Sequence, residues 1–82
     1  MKACFMGLGY IGLPTAIIAA KHGVDVLGVD INPNVVEMTN QGKLHIIEPG
    51  LEECLQEVVA TQKLKASTTA EKSDAYFIDI NP

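Results

Sequence analysis

Gly7-Leu8-Gly9-Tyr10-Ile11-Gly12 stands between a short apolar run over residues 3–6 and a second uncharged run that lasts until Lys21. Gly-x-Gly-x-x-Gly between a strand and a helix is the dinucleotide-binding fingerprint. Gly7 permits the tight turn out of the strand. Gly9 has no side chain, so a pyrophosphate can approach the backbone, and Gly12 lets the helix lie close to the sheet. The helix then offers free N–H groups and its positive dipole end to the phosphates. A competing reading exists, because residues 3–20 carry no charge and follow Met1-Lys2, as in a signal peptide or a membrane span. Three glycines and Pro14 argue against a helical signal core. The stretch also divides at the glycines into a strand-like and a helix-like part.

Asp30 supports the nucleotide reading. Gly23 suits the position just past a helix end, and residues 24–29 (VDVLGV) read as a second strand. The fingerprint expects an acidic residue about 20 positions beyond the glycines, at the end of that strand. Asp30 stands there, although alone it would read as a loop acid or a helix cap. Asn32 precedes Pro33, a favoured N-cap and N1 pairing. Asn32 also has the position to face the adenosine ribose, and capping is the simpler role.

Periodicity places the remaining elements. The first strand is 2–6 and the first helix 10–22, with Leu13, Ala16, Ile17 and Ala20 on one face. A short helix covers 35–40. Leu51, Cys54, Leu55, Val58 and Val59 follow helical spacing, while Glu52, Glu53, Gln56 and Glu57 face outward. A third strand is expected over 63–67, a single helical turn over 70–73 capped by Thr68 or Thr69, and a fourth strand from Asp74. This β-α-β-α-α-β-α-β order predicts an α/β fold. It is the adenosine-side half of a Rossmann-like, doubly wound parallel sheet, with strand order 3-2-1-4.

The chain has 82 residues, room for one small domain. Such a chain buries only about 60% of its unfolded surface. Net charge is −4 and all six basic residues are lysines, so nucleic acid is not an expected partner. Cys4 and Cys54 lack metal or CxxC spacing and read as strand core and helix core, reduced in a cytoplasmic protein. His45 and Glu48 have no zinc or triad partners, and no metal is expected.

Three segments together carry a resemblance: GLGYIGLP at 7–14, GVDIN at 28–32 and IIEPGLEE at 46–53. They resemble the amino-terminal domain of the UDP-glucose/GDP-mannose dehydrogenase family, over essentially the whole chain to Ile78. KLHIIEPGL, with His45 where the UDP-glucose branch usually has proline, is most similar to the UDP-N-acetylmannosamine branch. The resemblance implies NAD-dependent, four-electron oxidation of a sugar-nucleotide C6 alcohol to a carboxylate, in polysaccharide biosynthesis. It also implies a cysteine nucleophile, a lysine and a glutamate in later sequence, so the catalytic residues lie outside these 82. Tyr10, Ile11 and Asp30 match the family's cofactor contacts, with Gly7, Gly9 and Gly12 shaping the turn. Val35 replaces a residue that is often basic in the UDP-glucose branch. Asp79-Ile80-Asn81-Pro82 replaces the usual Val-Pro-Thr-Pro, whose threonine approaches the cofactor.

The expected partners are therefore NAD and, in the full-length protein, a UDP-sugar, with no membrane partner. Self-association into a homo-oligomer is expected as well, since the fourth strand is left as an uncovered edge. The alternative is a non-catalytic dinucleotide-sensing domain, which would use the same glycines and Asp30. The EPGL segment favours the dehydrogenase.

Overall fold

A computed structural model describes residues 1–9 and 11–78. Its elements are β1 (Lys2–Met6), α1 (Gly12–Lys21), β2 (Asp25–Val29), α2 (Pro33–Asn40), α3 (Leu51–Ala60), β3 (Leu64–Ser67) and β4 (Ala75–Ile78). All strand pairs are parallel and the order is β3-β2-β1-β4, the expected Rossmann-like topology. The Asp30 turn into α2 forms as anticipated, with the Asn32 side chain capping and Pro33 at the first helical position.

Side chains alternate across a strand, and that alternation sorts the core. Ala3 and Phe5 of β1, Val26 of β2, and Leu64 and Ala66 of β3 enter one apolar cluster. Leu13, Ala16, Ile17 and Ala20 of α1 and Leu51, Leu55 and Val58 of α3 pack into the same cluster. Val35 and Val36 of α2 pack against it. Cys4, Leu27 and Val29, with Met6 against them, form a smaller cluster from the alternate strand positions. Among the described residues no helix is long and apolar enough to cross a membrane.

Three expectations need correction. No helical turn forms over 70–73. Instead Thr69 N–H donates to Ser67 Oγ at 3.0 Å, and Ser73 N–H donates to the Tyr76 hydroxyl at 2.9 Å. One isolated turn has an unfavourable nucleus, and these side chains satisfy the backbone without it. The first helix begins at Gly12 rather than at 10, and Tyr10 itself lies outside the described residues. Cys54 packs against the main cluster only in part: it is half-buried, with Sγ 3.6 Å from Lys21 Nζ at the end of α1. The sequence Asp79-Ile80-Asn81-Pro82 also lies outside the described residues.

An exposed ion pair ties β1 to the segment before β4. Lys2 Nζ is 2.6 Å from Glu71 Oε1. The hydrogen bond from Lys2 holds the Glu71 carboxyl below its ordinary range, and the same bond raises the Lys2 ammonium. Because the folded value of Glu71 is depressed, its contribution is present above the unfolded value and is lost as pH falls through the folded one. The Lys2 contribution is lost as pH rises through its raised value. Both groups are exposed, so the effect is small. Glu71→Gln should lower the melting temperature slightly at neutral pH and not at all in acid below the carboxylate range. A pH series of thermal melts on both proteins checks this, and a pH-independent difference would contradict it.

Candidate functional site

The site is built where β1, β2 and β4 end. β1 stops at Met6, and Gly7 turns the chain with a φ of +100°, a region that disfavours any residue with a Cβ. Gly7 N–H donates to the Val29 carbonyl at 2.7 Å, so the turn is bonded to the end of β2. The turn sends Leu8 into the core, 1% exposed. Leu8 fits there because β2 carries Gly28. A Cβ on Gly28 would stand 2.8 Å from Leu8 Cδ2.

Leu8 N–H donates to Asp30 Oδ2 at 3.1 Å. Asp30 Oδ1 accepts the Asn32 N–H at 2.9 Å, and the Asp30 N–H donates to the Ser67 carbonyl at 3.1 Å. The glycine-rich turn, the acid at the end of β2 and the end of β3 are thus one bonded unit. Each carboxylate oxygen has a second lone pair left for a ligand.

The start of α1 is electrostatically open. It has no side-chain cap and no acid in its first turn, while Lys21 occupies the last turn. The positive end of the helix dipole is therefore available to an external anion. Gly9 is half-buried, and its carbonyl accepts the Leu13 N–H at 3.1 Å.

Two adjoining cavities lie at these strand ends. One, of about 300 Å³, is lined by Met6, Gly7, Val29, Asp30, Ile31 and Ile78. The other, of about 180 Å³, includes Ile11, Gly12, Thr15 and Phe77, and shares Met6, Gly7 and Ile78 with the first. They sit where the chain turns from β1 to β2 on one side while β4 pairs on the other, the switch point at which open α/β sheets bind ligands.

The structure brings Gly7, Ile11, Gly12 and Asp30 together around these cavities. Asn32 lines neither. Its Oδ1 accepts the Asn34 N–H at 2.9 Å, the capping role. Sequence reasoning missed Leu8, Gly28 and Ile31. Gly28 was the available signal, since a glycine inside a strand marks a close approach. Ile31 is 94% exposed at the rim of the larger cavity. His45 is half-buried, with no partner for Nδ1 among the described residues, and Glu48 lines a separate concavity of about 550 Å³. Among the described residues no group of histidine, cysteine and carboxylate side chains could hold a metal.

Among the described residues lining the two cavities, Asp30 is the one titratable group. The arrangement offers an anion site, an apolar wall and a carboxylate acceptor, groups suited to ligand recognition.

The chain is similar to known proteins. The family model for the UDP-glucose/GDP-mannose dehydrogenase family, NAD binding domain, matches residues 1–82. The UDP-N-acetyl-D-mannosamine dehydrogenase of Campylobacter jejuni is 52% identical over 79 residues, covering 96% of this chain and 19% of that protein. The native structure of the UDP-N-acetyl-mannosamine dehydrogenase of Staphylococcus aureus is similar, with a TM-score of 0.94 and 54% identity over 98% of this chain and 19% of that one. A ternary complex of GDP-mannose dehydrogenase from Pseudomonas aeruginosa has a TM-score of 0.94 at 36% identity, over 99% of this chain and 20% of that one. The chain spans about a fifth of the length of these relatives.

Proposed function

The chain belongs to the UDP-glucose/GDP-mannose dehydrogenase family, as its NAD-binding domain, and on that premise we propose that it forms the adenosine-side half of the NAD site in a longer nucleotide-sugar 6-dehydrogenase. The substrate we favour is UDP-N-acetylmannosamine, with UDP-glucose next, oxidised at C6 to the uronate. The name of the Campylobacter jejuni relative supports that choice. The observation that carries the cofactor site is the juxtaposition of the Gly7 turn, the uncapped start of α1 and Asp30 around adjoining cavities.

Gly7, Gly9 and Gly12 shape the turn that lets the pyrophosphate reach the helix start. Asp30 accepts from the adenosine ribose hydroxyls. Ile11 contributes apolar contact, and Tyr10 joins it by its match to the family motif. Asn32 acts on the ribose only indirectly, by capping α2 beside Asp30. NAD, when bound, supplies the hydride acceptor. These residues bind and orient it, and the groups that carry the oxidation belong to sequence beyond residue 82. The open β4 edge, with Tyr76, Phe77 and Ile78 exposed, supports a continuation of the sheet there. We place the protein in the cytoplasm, where Cys4 and Cys54 stay reduced.

The test is NADH formation with UDP-N-acetylmannosamine and with UDP-glucose. The complete chain that carries residues 1–82 should reduce NAD with one of them, and the 82-residue polypeptide alone with neither. Turnover by the short polypeptide would overturn the half-site reading. Failure of the complete chain with both sugars would overturn the substrate assignment.

A further inference from the structure

β3 is an outer strand, and outer strands expose a row of unpaired backbone groups. In a parallel pair, residues two apart along a strand turn their backbone groups to the same side. The carbonyls of Lys63 and Ser67 accept from Val26 and Asp30. Lys65 lies between them and faces β2 in the same way, so Leu64 and Ala66 turn their backbone groups away from the sheet. Those of Ala66 are nevertheless paired. Its N–H donates to Asn40 Oδ1 at 2.8 Å, and its carbonyl accepts from Asn40 Nδ2 at 2.9 Å.

One carboxamide thus engages both groups of one residue, as a residue of a further antiparallel strand would. Asn40 is the last residue of α2, and the packing of α2 on β3 delivers it there. At the opposite edge, among the described residues, no side chain pairs with the backbone of Ala75–Ile78. The two edges of the sheet are therefore unequal.

We propose that Asn40 is an edge lock: its carboxamide closes β3 to strand addition and leaves β4 as the edge at which the sheet accepts another strand. This does not depend on the dehydrogenase reading. The competing role is a plain anchor of α2 to β3. An anchor and a lock respond differently to a charge at the same place. Lysine cannot reproduce the two-way pairing, yet a lysine on an edge blocks pairing with another chain.

The experiment introduces Asn40→Ala and Asn40→Lys into the complete chain that carries residues 1–82. Size is followed by sedimentation velocity over a concentration series, and hydrogen exchange is read by mass spectrometry on the β3 peptide. In dilute solution Asn40→Ala should exchange at Ala66 about tenfold faster, as loss of a net hydrogen-bond contribution implies. With rising concentration it should form species larger than wild type, in which β3 regains protection. Asn40→Lys should exchange equally fast and keep the wild-type size. If Asn40→Ala keeps the wild-type size at every concentration, or if both variants associate alike, the lock is wrong and Asn40 is only an anchor. Unchanged exchange at Ala66 would overturn the pairing itself. Should Asn40→Ala not fold, Asn40→Ser puts the same question. Its hydroxyl is uncharged and too short to engage both backbone groups of Ala66, so it should associate as the alanine variant does. Wild-type size with faster exchange would again overturn the lock.

Discussion

Asp30→Asn should weaken NAD binding by roughly ten- to a hundredfold and leave NADP binding far less changed. The acid stands at the carboxyl end of β2, on the wall of the cavity beside Gly7. Hydrogen bonds to a charged group contribute on the order of 1.5–3 kcal/mol each, and about 1.4 kcal/mol is a factor of ten. In NADP the 2′-hydroxyl is a phosphate, so the carboxylate loses a donor and gains a repulsion. NADP sites usually place an arginine nearby, and this chain has none. The wild type should therefore prefer NAD, with the mutant narrowing the gap from the NAD side.

The structure adds a second effect. Asp30 already accepts the N–H groups of Leu8 and Asn32, one on each oxygen. An asparagine can accept both only through its single oxygen, and otherwise its NH₂ faces one of them. The glycine-rich turn loses part of its tie to β2. Loosening of the turn weakens both cofactors, while loss of ribose recognition weakens NAD alone. Calorimetric titration of both cofactors against wild type and mutant, in the complete chain, separates the two. Equal affinities in the wild type, or a mutant indistinguishable from it, would reduce Asp30 to a turn residue.

Legibility in the sequence followed the range of the interaction. α1 and α3 were visible because their buried residues repeat at helical spacing, and Asn32-Pro33 because a cap is a local bond. The strand order followed from the rules of parallel crossovers. Gly7 and Asp30 were visible as motif members, but the Leu8 bond that joins them was not. It links a backbone N–H to a carboxylate 22 residues away, and a backbone donor carries no residue-type signal. The Asn40 pairing with Ala66 was hidden for the same reason, across 26 residues. The turn over 70–73 failed in the other direction. Its residues tolerate a helix, and competing side-chain bonds from Ser67 and Tyr76 decided against it. Cys54 kept the helical spacing of a core residue but met Lys21, because periodicity fixes a face and not what lies opposite.

Leu8 and Gly28 make the case where a close approach yields a quantitative expectation. Leu8→Ala should cost about 2–5 kcal/mol, the range for a truncated core leucine. Whole domains hold only on the order of 5–15 kcal/mol, so this single change removes a large share. Gly28→Ala should also destabilise, despite the backbone entropy that alanine recovers. Its Cβ would meet Leu8 Cδ2 at 2.8 Å and Cδ1 at 3.1 Å. Those atoms end a flexible side chain, but that side chain is 1% exposed and has little room to move. Overpacking of this kind costs about 1–3 kcal/mol. The two costs should not add. With Leu8 shortened, the methyl at position 28 enters space already vacated, fills part of the void and retains its entropic gain. In the Leu8→Ala background, Gly28→Ala should be neutral or stabilising, a coupling of about 1–3 kcal/mol. Denaturant unfolding of the four proteins without cofactor closes the cycle. Strictly additive costs would mean that Leu8 does not occupy the space above Gly28, and that the glycine in β2 serves something other than the seat of the turn.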